Sequence, residues 1–211
     1  MGTFVGTANA SRGSGAGTIT IDGSGLGIAD TDLLLTIIVG RRDVDPTTLS
    51  GWTLVGSRDT SDDPSQFLYL RTASGESGSY TWTLADGGTG ALLVYRGVQF
   101  GAVGTWARVM NGALTIDEIT MGGAGDILLA FYSQDANSIT WTPPTGMSER
   151  VDVQGAANES QTLGVAELNP SGLGATGTKS PTPTSTATAS AGVLVSLRAA
   201  GTNGLLMCGT F

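Results

Sequence analysis

The side chains that could do chemistry in this chain are few, and no histidine is among them. Without an imidazole there is no Ser-His-Asp or Cys-His nucleophile, and the common zinc sites lose their usual ligand. The lone cysteine, Cys208, sits in an apolar stretch with no histidine to activate it and reads as a buried or incidental thiol. Gly13-Ser14-Gly15-Ala16-Gly17 resembles a phosphate loop in composition, but no lysine and no helical pattern follow, so a turn is expected. Asp59, Asp62 and Asp63 could hold Ca²⁺ from a loop. So could Asp43 and Asp45 ahead of Pro46; both groups read first as solvated loop carboxylates. Asp117 and Glu118 are the obvious pair for glycoside hydrolysis, yet neighbours on a strand point to opposite faces and cannot flank one bond. No catalytic, metal or cofactor residue is assigned, and no enzymatic role is expected.

The aromatic residues offer binding rather than catalysis. Trp52 follows Gly51 and reads as a core anchor entering a strand, and Trp82 shares a strand face with Tyr80. Trp141 precedes Pro143-Pro144 in an expected loop, which makes it the best candidate for an exposed ring that stacks on a sugar. Trp106 lies at the middle of the chain and could serve either role.

The elements that must carry these residues read as strands. Thr18 to Ile21 alternates polar and apolar, as a half-buried strand does. Leu33 to Val39 is a short apolar run suited to a strand covered on both faces. Further runs at 52–55, 67–70, 80–84, 91–95, 114–116, 127–132, 150–153, 163–168 and 193–197 are each bounded by Gly, Asp, Ser or Pro. Pro181 and Pro183 confine any strand between Ser180 and Ala191 to an edge. No helical periodicity lasts beyond two turns.

The same motifs occur twice in one order. Val5-Gly6-Thr7 returns as Val103-Gly104-Thr105, residues 17–22 as 112–117, and Asp32-Leu33-Leu34-Leu35 as Asp126-Ile127-Leu128-Leu129. Gly51-Trp52-Thr53 lies opposite Gly146-Met147-Ser148, and the closing run 91–96 lies opposite 193–198. The expected fold class is all-β, a jelly-roll-like antiparallel sandwich built from two diverged internal copies. The copies span about 4–98 and 102–199 within a unit of 18–199. Residues 1–17 form a flexible N-terminal arm or an edge strand, and 200–211 an apolar C-terminal tail.

Thr31 to Leu35, Gly51 to Val55, Tyr80 to Thr83, Val94 to Val98, Pro143 to Asp152, Gly174 to Thr178 and Ala191 to Arg198 resemble, in this order, a known module. It is a β-sandwich of phage head-decoration, tail and fibre proteins and of bacterial extracellular proteins. The resemblance runs over nearly the whole chain to about Arg198. It implies the sandwich fold and no catalytic residue, because the motifs consist of core and turn positions.

Composition narrows the partners. Charged residues make up 13% of the 211 and the net charge is −8, with Lys179 the only lysine. No basic stripe exists for phosphate contacts, so nucleic acid is not an expected partner. No segment is apolar for long enough to insert in a membrane, and the N-terminus lacks the basic and apolar regions of a Sec signal. The expectation is a bacteriophage virion structural protein, a head-decoration or tail-surface subunit made in the host cytoplasm. Its partners would be other virion proteins and its own copies in a homo-oligomer. Leu205, Leu206, Met207 and Phe211 behind the Gly201 to Gly204 hinge are the expected docking residues. The alternative is a carbohydrate-binding or adhesive module that meets a host surface glycan through Trp141 or Trp106.

Overall fold

Apolar side chains leave Leu33 to Val39 on both faces, so this segment needs cover on two sides. The computed structural model, which describes residues 2–41, 46–59, 64–76, 78–156, 161–169, 172–186 and 188–201, supplies both. The first half of the chain contains β1 (Thr3–Arg12), β2 (Gly17–Asp22), a 3₁₀ turn at Ser24–Leu26, β3 (Leu33–Gly40), β4 (Thr53–Arg58), β5 (Ser65–Thr72), β6 (Ser79–Leu84) and β7 (Gly88–Arg96). Its large sheet has the order β1-β7-β3-β5-β4, antiparallel throughout, and β2 pairs with β6 as a separate ribbon.

The second half contains β8 (Val98–Val103), β9 (Ala107–Val109), β10 (Thr120–Met121), β11 (Ile127–Asp135), β12 (Trp141–Thr142) and β13 (Ser148–Val153). It continues with β14 (Gln161–Leu168), β15 (Gly174–Ala175), β16 (Thr182–Pro183) and β17 (Ser190–Ala199). Its large sheet has the order β13-β14-β11-β17-β8, with β9 also on β17. Short ribbons β10-β15 and β12-β16 lie apart from it, and Ile116 bridges Lys179 in the register that β10 and β15 continue. The protein is thus an all-β antiparallel sandwich.

Alternation assigns each strand face to one of three cores. Leu33, Leu35 and Ile37 of β3 and Leu93 of β7 meet Ile127, Leu129 and Phe131 of β11 and Val195 of β17 in a central core between the large sheets. Leu34, Ile38, Leu92 and Val94 point the other way, against Ile19, Ile21 and Trp82 of the β2-β6 ribbon. On the far side Leu128, Tyr132 and Leu194 are covered by Leu114, Ile116, Met121 and Trp141. Both halves contribute to the one central core, and β1 lies over β13 while β7 lies over β14.

The strand orders of the two large sheets correspond, and so do their irregularities. On the β1 edge the extra residue of a bulge is Val5, between Phe4 opposite Tyr95 and Gly6 opposite Val94. On the β8 edge it is Gly101, between Phe100 opposite Leu197 and Ala102 opposite Ser196. The opposite edges each carry one too, at Val55 in β4 and at Arg150 in β13. Gly51 and Gly146, the turn residues before those strands, take φ of 80° and 81°, a left-handed conformation that glycine adopts without strain. Residues 17–22 and 112–117 bury the same alternate positions, ending on Ile21 and Ile116. Each of these isoleucines passes a strand glycine, Gly90 or Gly192, where a Cβ would stand 3.0 Å or 2.7 Å from the isoleucine Cδ1.

One sequence match is not kept. Strand pairing sets Thr7 against Leu93 and Val103 against Val195, so Thr7 corresponds to Val103 rather than to Thr105. The Val-Gly-Thr repeat is displaced by two residues, which preserves the strand face and hides the slip. Residues 3–12 form a full edge strand rather than a flexible arm.

Candidate functional site

The interior of a low-charge β protein should hold few ionised groups, and each that it holds must be paired. Glu167 lies on β14 among Val165, Ala166 and Leu168 and is only 3% exposed. Its carboxylate accepts from Arg150 Nε at 2.9 Å and Arg150 Nη2 at 2.9 Å, from the Tyr95 hydroxyl at 2.7 Å, and from Asn169 Nδ2 at 3.1 Å. The bulge in β13 is what turns Arg150 inward. Its guanidinium lies 4.4 Å from the Phe4 ring centre, and Phe4 packs on Tyr95 at 5.3 Å. Phe4 and Tyr95 belong to the first half of the chain, Arg150, Glu167 and Asn169 to the second.

Burial alone would raise the Glu167 carboxyl, but the Arg150 and Tyr95 hydrogen bonds and the Arg150 charge outweigh it and hold it below its ordinary value. Burial, then the neighbouring carboxylate, push the Tyr95 phenol far above its usual range. At neutral pH the cluster is a carboxylate, a guanidinium and a neutral phenol, with every carboxylate oxygen occupied. Such a group holds two sheets in register and presents no free base or nucleophile. A second polar contact crosses the same core: Gln66 Nε2 on β5 donates to Ser133 Oγ on β11 at 2.6 Å and to the Ala191 carbonyl at 3.2 Å.

The other buried carboxylates serve loops. Asp32 accepts from Arg96 Nε and Nη2 at 2.8 and 2.7 Å and from the Ala29 N–H at 2.9 Å, closing the turn before β3. Burial opposes ionisation there, yet these bonds keep its carboxyl below the usual value. Asp126, at the corresponding turn, accepts instead from three backbone N–H groups, those of Gly122, Gly123 and Ala199.

Compared with family profiles, with curated proteins and with solved structures, the chain finds no match in any of the three. The site is therefore read on its own geometry.

Trp141 requires a correction. It is 4% exposed, on β12 rather than in a loop, with its ring 4.9 Å from Tyr132 and its indole N–H directed at Thr162 Oγ1 at 3.3 Å. Pairing of Trp141 with Pro183 in the β12-β16 ribbon and its place in the far core leave the ring buried, so no sugar can stack on it. Trp106 is half-buried, packed beside the central core and over Gly56 of β4, where a Cβ would stand 3.3 Å from the indole nitrogen. Trp52 and Trp82 are core residues, stacked edge-on at 5.5 Å. Asp117 and Glu118 are exposed neighbours, and residues 13–16 form the turn from β1 to β2. Asp43, Asp45, Asp62, Asp63, Cys208 and the docking candidates Leu205, Leu206, Met207 and Phe211 lie outside the described residues.

One concavity of about 420 Å³ opens beside the cluster, where Leu168 and Asn169 end β14 and Met121 and Gly174 pair across the β10-β15 ribbon. Leu173 on its rim is 71% exposed. Thr176 at its floor is occupied, accepting from the Ile119 N–H and donating to the Gly177 carbonyl. The Tyr95-Glu167-Arg150 cluster has one sequence signal, a lone carboxylate in an otherwise apolar strand. Its partners stand 17 and 72 positions away, beyond the reach of any local pattern.

Proposed function

We propose that this protein is a bacteriophage virion structural subunit, a head-decoration or tail-surface protein that acts with other virion proteins and with its own copies. The observation that carries this reading is where the binding-type side chains go. Trp52, Trp82 and Trp141 are all given to the cores, and the interior ions Glu167 and Asp32 are closed into structural contacts. Such use of side chains suits a rigid building block better than a sugar-binding module, which needs an exposed aromatic face. The motif resemblance to phage and bacterial sandwich modules adds the setting. The matching strand orders, bulges and turn glycines fit an origin of both halves from one duplicated unit.

Antibody to this chain, applied to purified particles and followed by gold-labelled electron microscopy, tests the proposal. Regular labelling of heads or tails is the expected result. Absence of the chain from the particles, by labelling and by mass spectrometry of their proteins, would overturn it.

A further inference from the structure

Among the described residues the two halves touch face to face without sharing a ladder: every pairing of the large sheets stays within one half, and Gly97 alone joins β7 to β8. Exchanging the halves by strand correspondence carries Phe4, Tyr95, Glu167 and Arg150 onto Phe100, Leu197, Leu70 and Val55. All four counterparts are apolar and lie in or against the central core. The second polar contact behaves alike, since Gln66 and Ser133 correspond to Leu163 and Val39, both fully buried there. The interface is thus two-fold in its backbone and polar on one side only.

We infer that these polar side chains are a recognition code that lets each half pair with the unlike half, of its own chain or of a second copy, and not with a half of its own kind. Two first halves together would set Tyr95 against Leu70 and Val55, and Gln66 against Val39, at both ends of the interface. Two second halves would set Glu167 and Arg150 against Leu197, and Ser133 against Leu163, again twice. Arg150 and Glu167 keep each other in any pairing, but two first halves leave the Tyr95 hydroxyl without its acceptor and two second halves leave Ser133 Oγ without the Gln66 donor, bonds that only the unlike pair makes. Assembly between copies through this face would then be a reciprocal exchange of halves. The inference is independent of whether the protein belongs to a virion.

The test uses the full chain with a protease site inserted between Gly97 and Val98, cleaved after folding. Cleaved protein is mixed with an isotopically labelled cleaved copy, exchanged in mild urea and weighed by native mass spectrometry. Unlike pairs, labelled and unlabelled halves interchanged, should exceed like pairs about tenfold or more. Like pairs making up about half of the complexes, as random pairing gives, would overturn the code. A second variant needs no cleavage: Glu167→Leu, Arg150→Val and Ser133→Val in the intact chain present the first half with the side chains of a like partner. Its denaturation midpoint should fall and should recover when Tyr95→Leu and Gln66→Leu are added. A midpoint equal to wild type before those additions would also sink the inference.

Discussion

Arg150→Met isolates the buried ion pair. The substitution keeps an apolar stem beside Phe4 and removes the guanidinium, leaving Glu167 at 3% exposure with only the Tyr95 and Asn169 donors. Breaking a buried pair from one side costs about 3–5 kcal/mol, since the remaining ion is neither solvated nor neutralised. The Arg150 side chain is 28% exposed, and two hydrogen bonds to Glu167 survive, so the low end applies, about 3 kcal/mol. For a chain of this size that is a fall of about 6–12 °C in Tm. Urea denaturation at several pH values separates the charge effect from simple loss of packing. In the wild type the Glu167 carboxyl is depressed, so its contribution is complete above its unfolded value of about 4.3 and is lost as pH falls through the lower folded value. In the variant, burial without a cation raises that carboxyl, and stability rises as pH falls toward 4. The gap between the two proteins should therefore be widest near neutrality and close in acid. A loss under about 1 kcal/mol that is the same at pH 4 and pH 7 would mean the pair behaves as a screened surface bridge, and would refute the reasoning.

Trp141→Ala should cost about 3–5 kcal/mol in urea denaturation, as a large buried ring does; an exposed platform would cost almost nothing. Gly192→Ala places a Cβ 2.8 Å from the Phe131 carbonyl oxygen and should lose about 1–3 kcal/mol. Gly90→Ala meets only the mobile ends of Ile38 and Ile21 at comparable range and should lose less in the same assay. Asp32→Asn should cost about 1–2 kcal/mol at pH 7 by weakening its bonds to Arg96. Because the Asp32 carboxyl is depressed, that difference should shrink in acid titrations as pH falls below about 4.

The strands were the legible part of this chain. Runs such as Leu33 to Val39 and Val193 to Leu197 declare themselves through nearly continuous apolar character, and four of the five repeated motifs occupy corresponding places in the two sheets. β1 was harder to read because Gly, Ala, Asn and Ser in residues 6–11 carry little strand propensity; its partner β7 imposes the conformation. Trp141 misled because Pro143-Pro144 marks a loop locally, whereas Thr182 and Pro183 arrive from forty positions downstream to pair with it. Of the cluster around Glu167 only the lone carboxylate shows in the sequence, and its partners stay hidden for a related reason. Its members meet through packing of two sheets, and no period along the chain encodes which side chain faces which across 10 Å of core.

The single glycine between β7 and β8 also sets a timetable for synthesis. All seven strands of the first half find their pairing partners before residue 97, so that half can complete its ladders while the second is still on the ribosome. Its central face, with Leu35, Ile37, Leu68 and Leu93, then waits uncovered. At about 5–20 residues per second, the remaining residues take on the order of 5–20 s to appear. During that interval neighbouring nascent chains on one message offer each other the same open sheet, and discrimination between like and unlike halves matters most there.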